Sequence, residues 1–328
     1  MPLARQALST SRGLVLIGLA AVSWGTTGSV MTVLGARAAA SPLLVGAARL
    51  WIAAVLLLVA LMIAERSHTR LSRATQGQSV PRRPRDNGPR DNNLRDNNLG
   101  RCVLMGACLA GYQAAYFTAV TLNGIAVTAL IAICSAPLMI AALAPWALGE
   151  RLAPRVRVAL ALGVVGTALL VAAPRGALDL TARLVAGALL ALTAGLAYAL
   201  YVILAKATLA RMAPLPLTAL TFAAGAVLLT PAVLWTEAPL RQLSLGWPWL
   251  LYLGGVATAG AYAIYTLGLR LVPASVAGIV TLTEPLTATL LGVLLFGERL
   301  GVTGFLGAAL LVSALALVLA PHPASTDV

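Results

Sequence analysis

Acid and histidine are scarce in this chain, with ten Asp and Glu and two His among 328 residues, and cysteine numbers only three. An enzyme needs a nucleophile with its base, or a set of metal ligands. Both histidines, His68 and His322, fall in polar segments, and no second acid accompanies the one carboxylate set deep in an apolar run. No catalytic residue, cofactor or metal site is therefore expected. Cys102, Cys108 and Cys134 are odd in number and sit in or beside apolar stretches, which excludes a disulfide framework. Charged residues amount to 10% against 60% hydrophobic ones, at a mean hydropathy of +0.91. No ordinary soluble protein has that balance. The net charge of +13 does not indicate nucleic acid either: nine of the 23 Lys and Arg lie between Arg66 and Arg101, with no groove-reading or stacking module beside them.

What the chain does have is long apolar runs, and the most informative is Thr281–Leu300, which carries Glu284 about halfway along. A carboxylate at membrane depth is costly and marks a functional site. Pro285 follows at once, and its missing N–H is expected to free the carbonyl of Thr281. Shifting the sequence by 148 residues aligns Ala115–Leu152 on Ala263–Leu300 without gaps, with 12 of 38 positions identical. Pro137 pairs with Pro285, and Gly149–Leu152 with Gly297–Leu300, both reading Gly-Glu-Arg-Leu. An internal repeat in a membrane protein is a mark of transporters.

At about 20 apolar residues per crossing, ten spans are expected: 14–34, 43–64, 101–121, 125–148, 156–173, 183–205, 215–235, 248–269, 273–296 and 301–320. The expected class is an all-α membrane protein. Its ten transmembrane helices form two five-helix repeats, which an odd number of crossings requires to be inverted. The repeats occupy 1–173 and 183–320, with a short tail at 321–328. Ala38-Ala39-Ala40 imitates a signal-peptide cleavage site, but the run before it is too long and contains the polar cluster Ser23–Ser29. A retained signal anchor is the better reading. With the N-terminus inside, Lys and Arg number 17 on the cytoplasmic side against five outside. Both termini are then cytoplasmic. The alanine- and arginine-rich usage suggests a bacterial inner membrane. Residues 65–100 hold tandem RDNGP, RDNNL and RDNNL and read as a disordered loop. The arginines of that loop are candidate ligands for anionic lipid headgroups.

A Trp-Gly pair in span 1 (Trp24-Gly25), Ala48-Arg49-Leu50 in span 2, a proline midway along spans 4 and 9 and the two Gly-Glu-Arg-Leu motifs together resemble the EamA family of the drug/metabolite transporter superfamily. The resemblance covers the chain apart from residues 65–100 and is not specific for substrate. It implies a secondary carrier, commonly an exporter of amino acids, related metabolites or toxic compounds, with a central cavity enclosed largely by spans 3, 4, 8 and 9.

Within that frame Glu284 is the candidate for the coupling proton or for the amino group of a substrate; the alternative is a structural carboxyl bonded to Thr281 or to span 4. Its counterpart in the first repeat is Ala136, so a proton site would be asymmetric. Six of seven tyrosines stand in pairs three or four apart: Tyr112 and Tyr116, Tyr198 and Tyr201, Tyr262 and Tyr265. Each pair shares a helix face and is expected to line the cavity with Trp24, Gln113 and Thr281, or to sit at the interface. Thr26, Thr27, Thr118 and Asn123 are further candidates for substrate contacts or helix bridges. Arg49 lies near the outer end of span 2 and is expected to snorkel to the interface, the other reading being contact with a substrate carboxylate. Pro137 and Pro285 are expected helix breaks. Glu150 and Glu298 are expected turn or gate determinants. Gly163, Gly166, Thr167, Gly304, Gly307 and Ala308 offer faces for helix packing or dimerisation. The expected function is alternating-access export of amino acids or similar amphipathic metabolites by a monomer or homodimer. A facilitative carrier or drug exporter is the alternative.

Overall fold

A computed structural model describes residues 2–38, 41–75, 89–172, 181–234, 236–297, 299 and 301–320. All of its regular structure is helical: α1 (Pro2–Gly25), α2 (Thr27–Ala38), α3 (Pro42–Thr75), α4 (Pro89–Leu148), α5 (Pro154–Ala172), α6 (Ala182–Thr208), α7 (Pro214–Leu229), α8 (Pro231–Leu234), α9 (Pro239–Gly254), a π turn (Gly255–Gly260), α10 (Ala261–Leu271), α11 (Ala274–Val280), α12 (Thr283–Phe296) and α13 (Val302–Leu319). Among the described residues, eight helical stretches are long and apolar enough to cross a membrane. The apolar helices α5 and α7 complete the set. Leu294, Leu295, Phe305 and Leu306 are exposed on the outside of the bundle, as side chains facing lipid are.

Two expectations about breaks need correction. Span 9 does break, but at Thr281–Leu282, a turn before Pro285. Pro285 thereby falls in the first turn of α12, where N–H groups have no intrahelical partner and a missing one costs little. The Thr281 carbonyl is not freed, since it accepts from the Glu284 N–H at 3.0 Å. Pro137 breaks nothing: it lies within α4, whose one non-helical residue is Gly124, at φ 76° and ψ 164°. There the chain turns between spans 3 and 4. Span 1 breaks instead, at Thr26, between α1 and α2.

Of residues 65–100, expected to be a disordered loop, the described parts are 65–75 and 89–100. Helix α3 continues to Thr75 and α4 begins at Pro89, so the second and third RDNN units are helical. Pro89 is suited to a first helical position. Residues 76–88 and the tail with His322 lie outside the described residues, as does Glu298.

Close backbone crossings hold the bundle. A Cβ on Gly166 would come within 2.8 Å of the Gly307 carbonyl, and one on Gly106 within 2.7 Å of the Gly225 nitrogen. These contacts join α5 to α13 and α4 to α7. The small residues of spans 5 and 10 therefore face each other within the chain, as small-residue crossings do in membranes.

One end of the bundle is tied by two charges. Helix α4 ends at Gly149, in the left-handed region at φ 67°, with its N–H on the Pro145 carbonyl at 3.2 Å. Glu150 then reaches the start of α11, accepting from the Ala274 N–H at 2.6 Å, the Ser275 N–H at 3.1 Å and the Ser275 hydroxyl at 2.8 Å. Lys206, in the last turn of α6, donates to the carbonyls of Leu269 at 2.8 Å and Val272 at 2.6 Å, where α10 ends. An acid thus meets a helix N-terminus and a base a helix C-terminus, each on the favourable side of the dipole. The turn between spans 8 and 9 is clamped on both flanks.

Candidate functional site

The broken spans meet at a cavity of about 330 Å³. Thr26 supplies one side of its construction: its hydroxyl bonds the Ser23 carbonyl at 2.7 Å and the Tyr252 hydroxyl at 2.9 Å, tying the break in span 1 to α9. Gly25 lies directly against α12, and a Cβ there would come within 2.5 Å of the Thr287 Cβ and 2.7 Å of the Glu284 carbonyl. Only glycine allows that approach. The residue before it, Trp24, and Glu284 in the first turn of α12 on the other side both reach the cavity.

The lower wall is aromatic. Trp24 packs on Tyr262 and Tyr265 at centroid distances of 4.8 and 5.2 Å and meets Tyr198 edge to face at 6.5 Å. Phe222 of α7 meets Tyr262 at 4.8 Å. Tyr112 and Tyr116 stack at 5.7 Å on α4. Of the residues singled out in the sequence, Trp24, Tyr112, Gln113, Tyr116, Tyr198, Tyr262, Thr281, Glu284, Pro137 and Pro285 line this space. Tyr201 and Tyr265 do not: both are wholly buried beneath it, and neither hydroxyl has a hydrogen-bond partner among the described residues. Depth within the bundle separates them from their partners on the same helix faces. Thr118 is exposed and bonds only its own helix, at Ala114, while Asn123 bridges to the Leu184 carbonyl at 3.0 Å. Neither reaches the cavity.

Arg49 overturns the snorkelling expectation. It lines the cavity, with its Nε donating to the Thr258 hydroxyl at 3.1 Å. Thr258 sits in the π turn Gly255–Gly260 and hands its own proton to the Leu253 carbonyl, five residues back, at 2.6 Å. That leaves its oxygen lone pairs for Arg49. π turns of this kind concentrate at functional sites. Thr258 and the π turn are the elements the sequence reading missed; the small-residue run Gly254–Gly260 was the available signal.

Polar groups without protein partners gather in the same space. Among the described residues, Trp24, 7% exposed, has no partner for its indole N–H, and the Thr27 hydroxyl has none. Gln113, 6% exposed, makes no side-chain hydrogen bond with the described residues, and neither do the Glu284 carboxylate and the Arg49 Nη groups. Buried polar groups cost stability unless they are paired. Here they converge on one cavity with Leu50, Leu109, Phe117 and Phe222 between them, the pattern of an apolar ligand site with a few placed polar groups. Arg49 and Glu284 lie within electrostatic reach of each other, and Tyr112, Tyr116 and Tyr262 are the other ionisable groups facing Glu284. Ala136, the repeat counterpart of Glu284, lines the cavity too. Spans 3, 4, 8 and 9 supply most of the lining, and spans 1 and 2 add Trp24, Thr27 and Arg49 to it.

Comparison with known proteins agrees with this architecture. A solved structure described as "Crystal structure of protein" matches with a TM-score of 0.74 at 22% identity, over 94% of this chain and 96% of that one. That likeness concerns the fold. The uncharacterized transporter YwfM of Bacillus subtilis (strain 168) is 36% identical over 310 residues, covering 92% of this chain and 91% of its own. An uncharacterized transporter of Archaeoglobus fulgidus is 30% identical over 200 residues, covering 61% of this chain and 69% of its own. The EamA-like transporter family model matches residues 11–172 and 185–320. The chain is a multi-pass membrane transport protein and belongs to the EamA-like transporter family.

Proposed function

We propose that this protein is a secondary active transporter that exports amino acids or related small amphipathic metabolites by alternating access, coupled to protons through Glu284. One observation carries the reading. The Glu284 carboxylate stands at the break of span 9, faces the cavity and has no protein hydrogen-bond partner among the described residues. Discontinuous helices whose ends face a site within the membrane are how secondary carriers hold substrate and coupling ion. A carboxylate so placed is free to take up a proton or an ammonium group as access changes sides.

Alternation rests on the two repeats being inverted. The 12 shared identities support it, and so does the matched left-handed glycine, Gly149 and Gly297, at φ 67° in both. With the termini cytoplasmic, the Glu150–Lys206 clamp closes the cytoplasmic end. The cavity then reaches outward to Gly28, Pro42 and Val120. An exporter releases its cargo from that state. The positive charge of the clamped side supports this orientation.

The test is flux of a labelled amino-acid panel in proteoliposomes, with and without an imposed pH gradient, for wild type and Glu284→Gln. Transport that responds to the gradient in wild type and not in the variant supports the coupled reading. A second reading has its own observation: Arg49 lies within electrostatic reach of Glu284 as an opposite charge, which suits a carboxylate that stays ionised in an uncoupled carrier. Glu284→Gln flux equal to wild type under both conditions would establish that alternative.

A further inference from the structure

We propose that Arg49 is the specificity-determining residue that reads a carboxylate on the transported molecule, held for that task by Thr258 on the π turn of span 8. The inference rests on the amino-acid reading above and narrows it. The cargo is then a molecule whose carboxylate goes to Arg49, whose ammonium goes to Glu284 and whose apolar body lies along the aromatic wall.

Four observations carry it. Arg49 is a cation inside a cavity that is otherwise mostly apolar, where an uncompensated charge is costly. Its one protein hydrogen bond uses Nε, at 3.1 Å to Thr258, and its two Nη groups have no protein partner among the described residues. Fixing Nε orients the guanidinium plane while leaving donors at the Nη positions. Such a fork matches the spacing of two carboxylate oxygens. Glu284 lies within electrostatic reach yet forms no direct ion pair with Arg49 among the described residues. The two opposite charges are therefore held apart across a lined space, as a zwitterion requires. Gln113 and the Trp24 indole N–H, both at least nine-tenths buried and without partners, supply further neutral polar groups in the same cavity.

The π turn has a distinct part in this. In a regular helix the Thr258 hydroxyl would bond the carbonyl three or four residues back. Here it bonds Leu253, five back. The widened turn moves Thr258 into register with Arg49. Removing the hydroxyl should loosen the guanidinium without removing its charge.

The experiment is isothermal titration of the full-length protein, purified in detergent, with three probes. L-Phenylalanine carries both charges, L-phenylalaninamide only the ammonium and 3-phenylpropionate only the carboxylate. Wild type, Arg49→Gln, Arg49→Lys and Thr258→Val are compared, each checked for folded elution. Loss of a bidentate charged contact corresponds to about ten- to a hundredfold in affinity. Arg49→Gln is expected to weaken L-phenylalanine by that factor and to leave L-phenylalaninamide unchanged. Arg49→Lys and Thr258→Val are expected to fall between. Equal weakening of L-phenylalanine and L-phenylalaninamide by Arg49→Gln would overturn the proposal, because Arg49 would then be structural. Unchanged L-phenylalanine affinity in a folded variant would overturn it as well. If wild type binds 3-phenylpropionate but not L-phenylalanine, and Arg49→Gln loses it, Arg49 stands as the carboxylate reader and the amino-acid reading falls. If wild type binds none of the three, both fall.

Discussion

Replacing Glu150 with glutamine should open the clamped end of the bundle to water. Glu150 accepts three hydrogen bonds, at 2.6, 3.1 and 2.8 Å, from the first residues of α11. Glutamine keeps one acceptor oxygen and loses the charge, and with it the favourable meeting with the helix N-terminus. Hydrogen bonds to a charged group are worth about 1.5–3 kcal/mol each. The freed N–H groups regain water once the end opens, so a net loss of about 2 kcal/mol is reasonable, or roughly thirtyfold in an open-to-closed equilibrium. The assay is labelling of a cysteine at Ala277 by an impermeant maleimide, after Cys102, Cys108 and Cys134 have been replaced. Ala277 is wholly buried, one turn along α11 from Ala274. If labelling occurs from the open state, its rate should rise roughly thirtyfold in Glu150→Gln. Lys206→Met should raise it comparably, since the carbonyls of Leu269 and Val272 lose their donor on the other flank of the same turn. An unchanged rate in both variants, with the protein folded, refutes the reasoning: the clamp would then hold a turn and not a gate.

Two further predictions concern the cavity itself. Gly25→Val places a Cβ against Thr287 and the Glu284 carbonyl, and overpacking of this kind costs about 1–3 kcal/mol; a lower melting temperature together with lost transport is expected, and a variant as stable and active as wild type contradicts the close approach. Trp24→Phe keeps a ring for Tyr262 and removes an N–H that has no protein partner, so stability should change by less than about 1 kcal/mol while amino-acid affinity falls. A large stability loss at constant affinity would place the indole in the scaffold.

Some of this architecture is local and therefore readable from the chain. Hydropathy marks the spans because each must satisfy its own backbone within lipid. The Glu-Pro pair of span 9 announces a break because proline cannot donate, although the chain places that break a turn earlier, so that Pro285 occupies a first-turn position. The internal repeat is visible because both copies kept the left-handed glycine and the acid after it. Other features depend on depth and on partners remote in sequence. Tyr198 and Tyr201 share a helix face, as do Tyr262 and Tyr265, yet Tyr198 and Tyr262 line the cavity while Tyr201 and Tyr265 lie sealed beneath it. Periodicity encodes direction around a helix, not distance from the end of a bundle. Glu150 finds its partners 124 and 125 residues away, and its motif alone does not name them. Arg49 is the clearest case. Six residues into an apolar span, a long cation can turn outward to water or inward to a cavity, and both are compatible with the sequence. The packing of α3 against the π turn decides it, because Thr258 there accepts a hydrogen bond from the guanidinium and holds it inward.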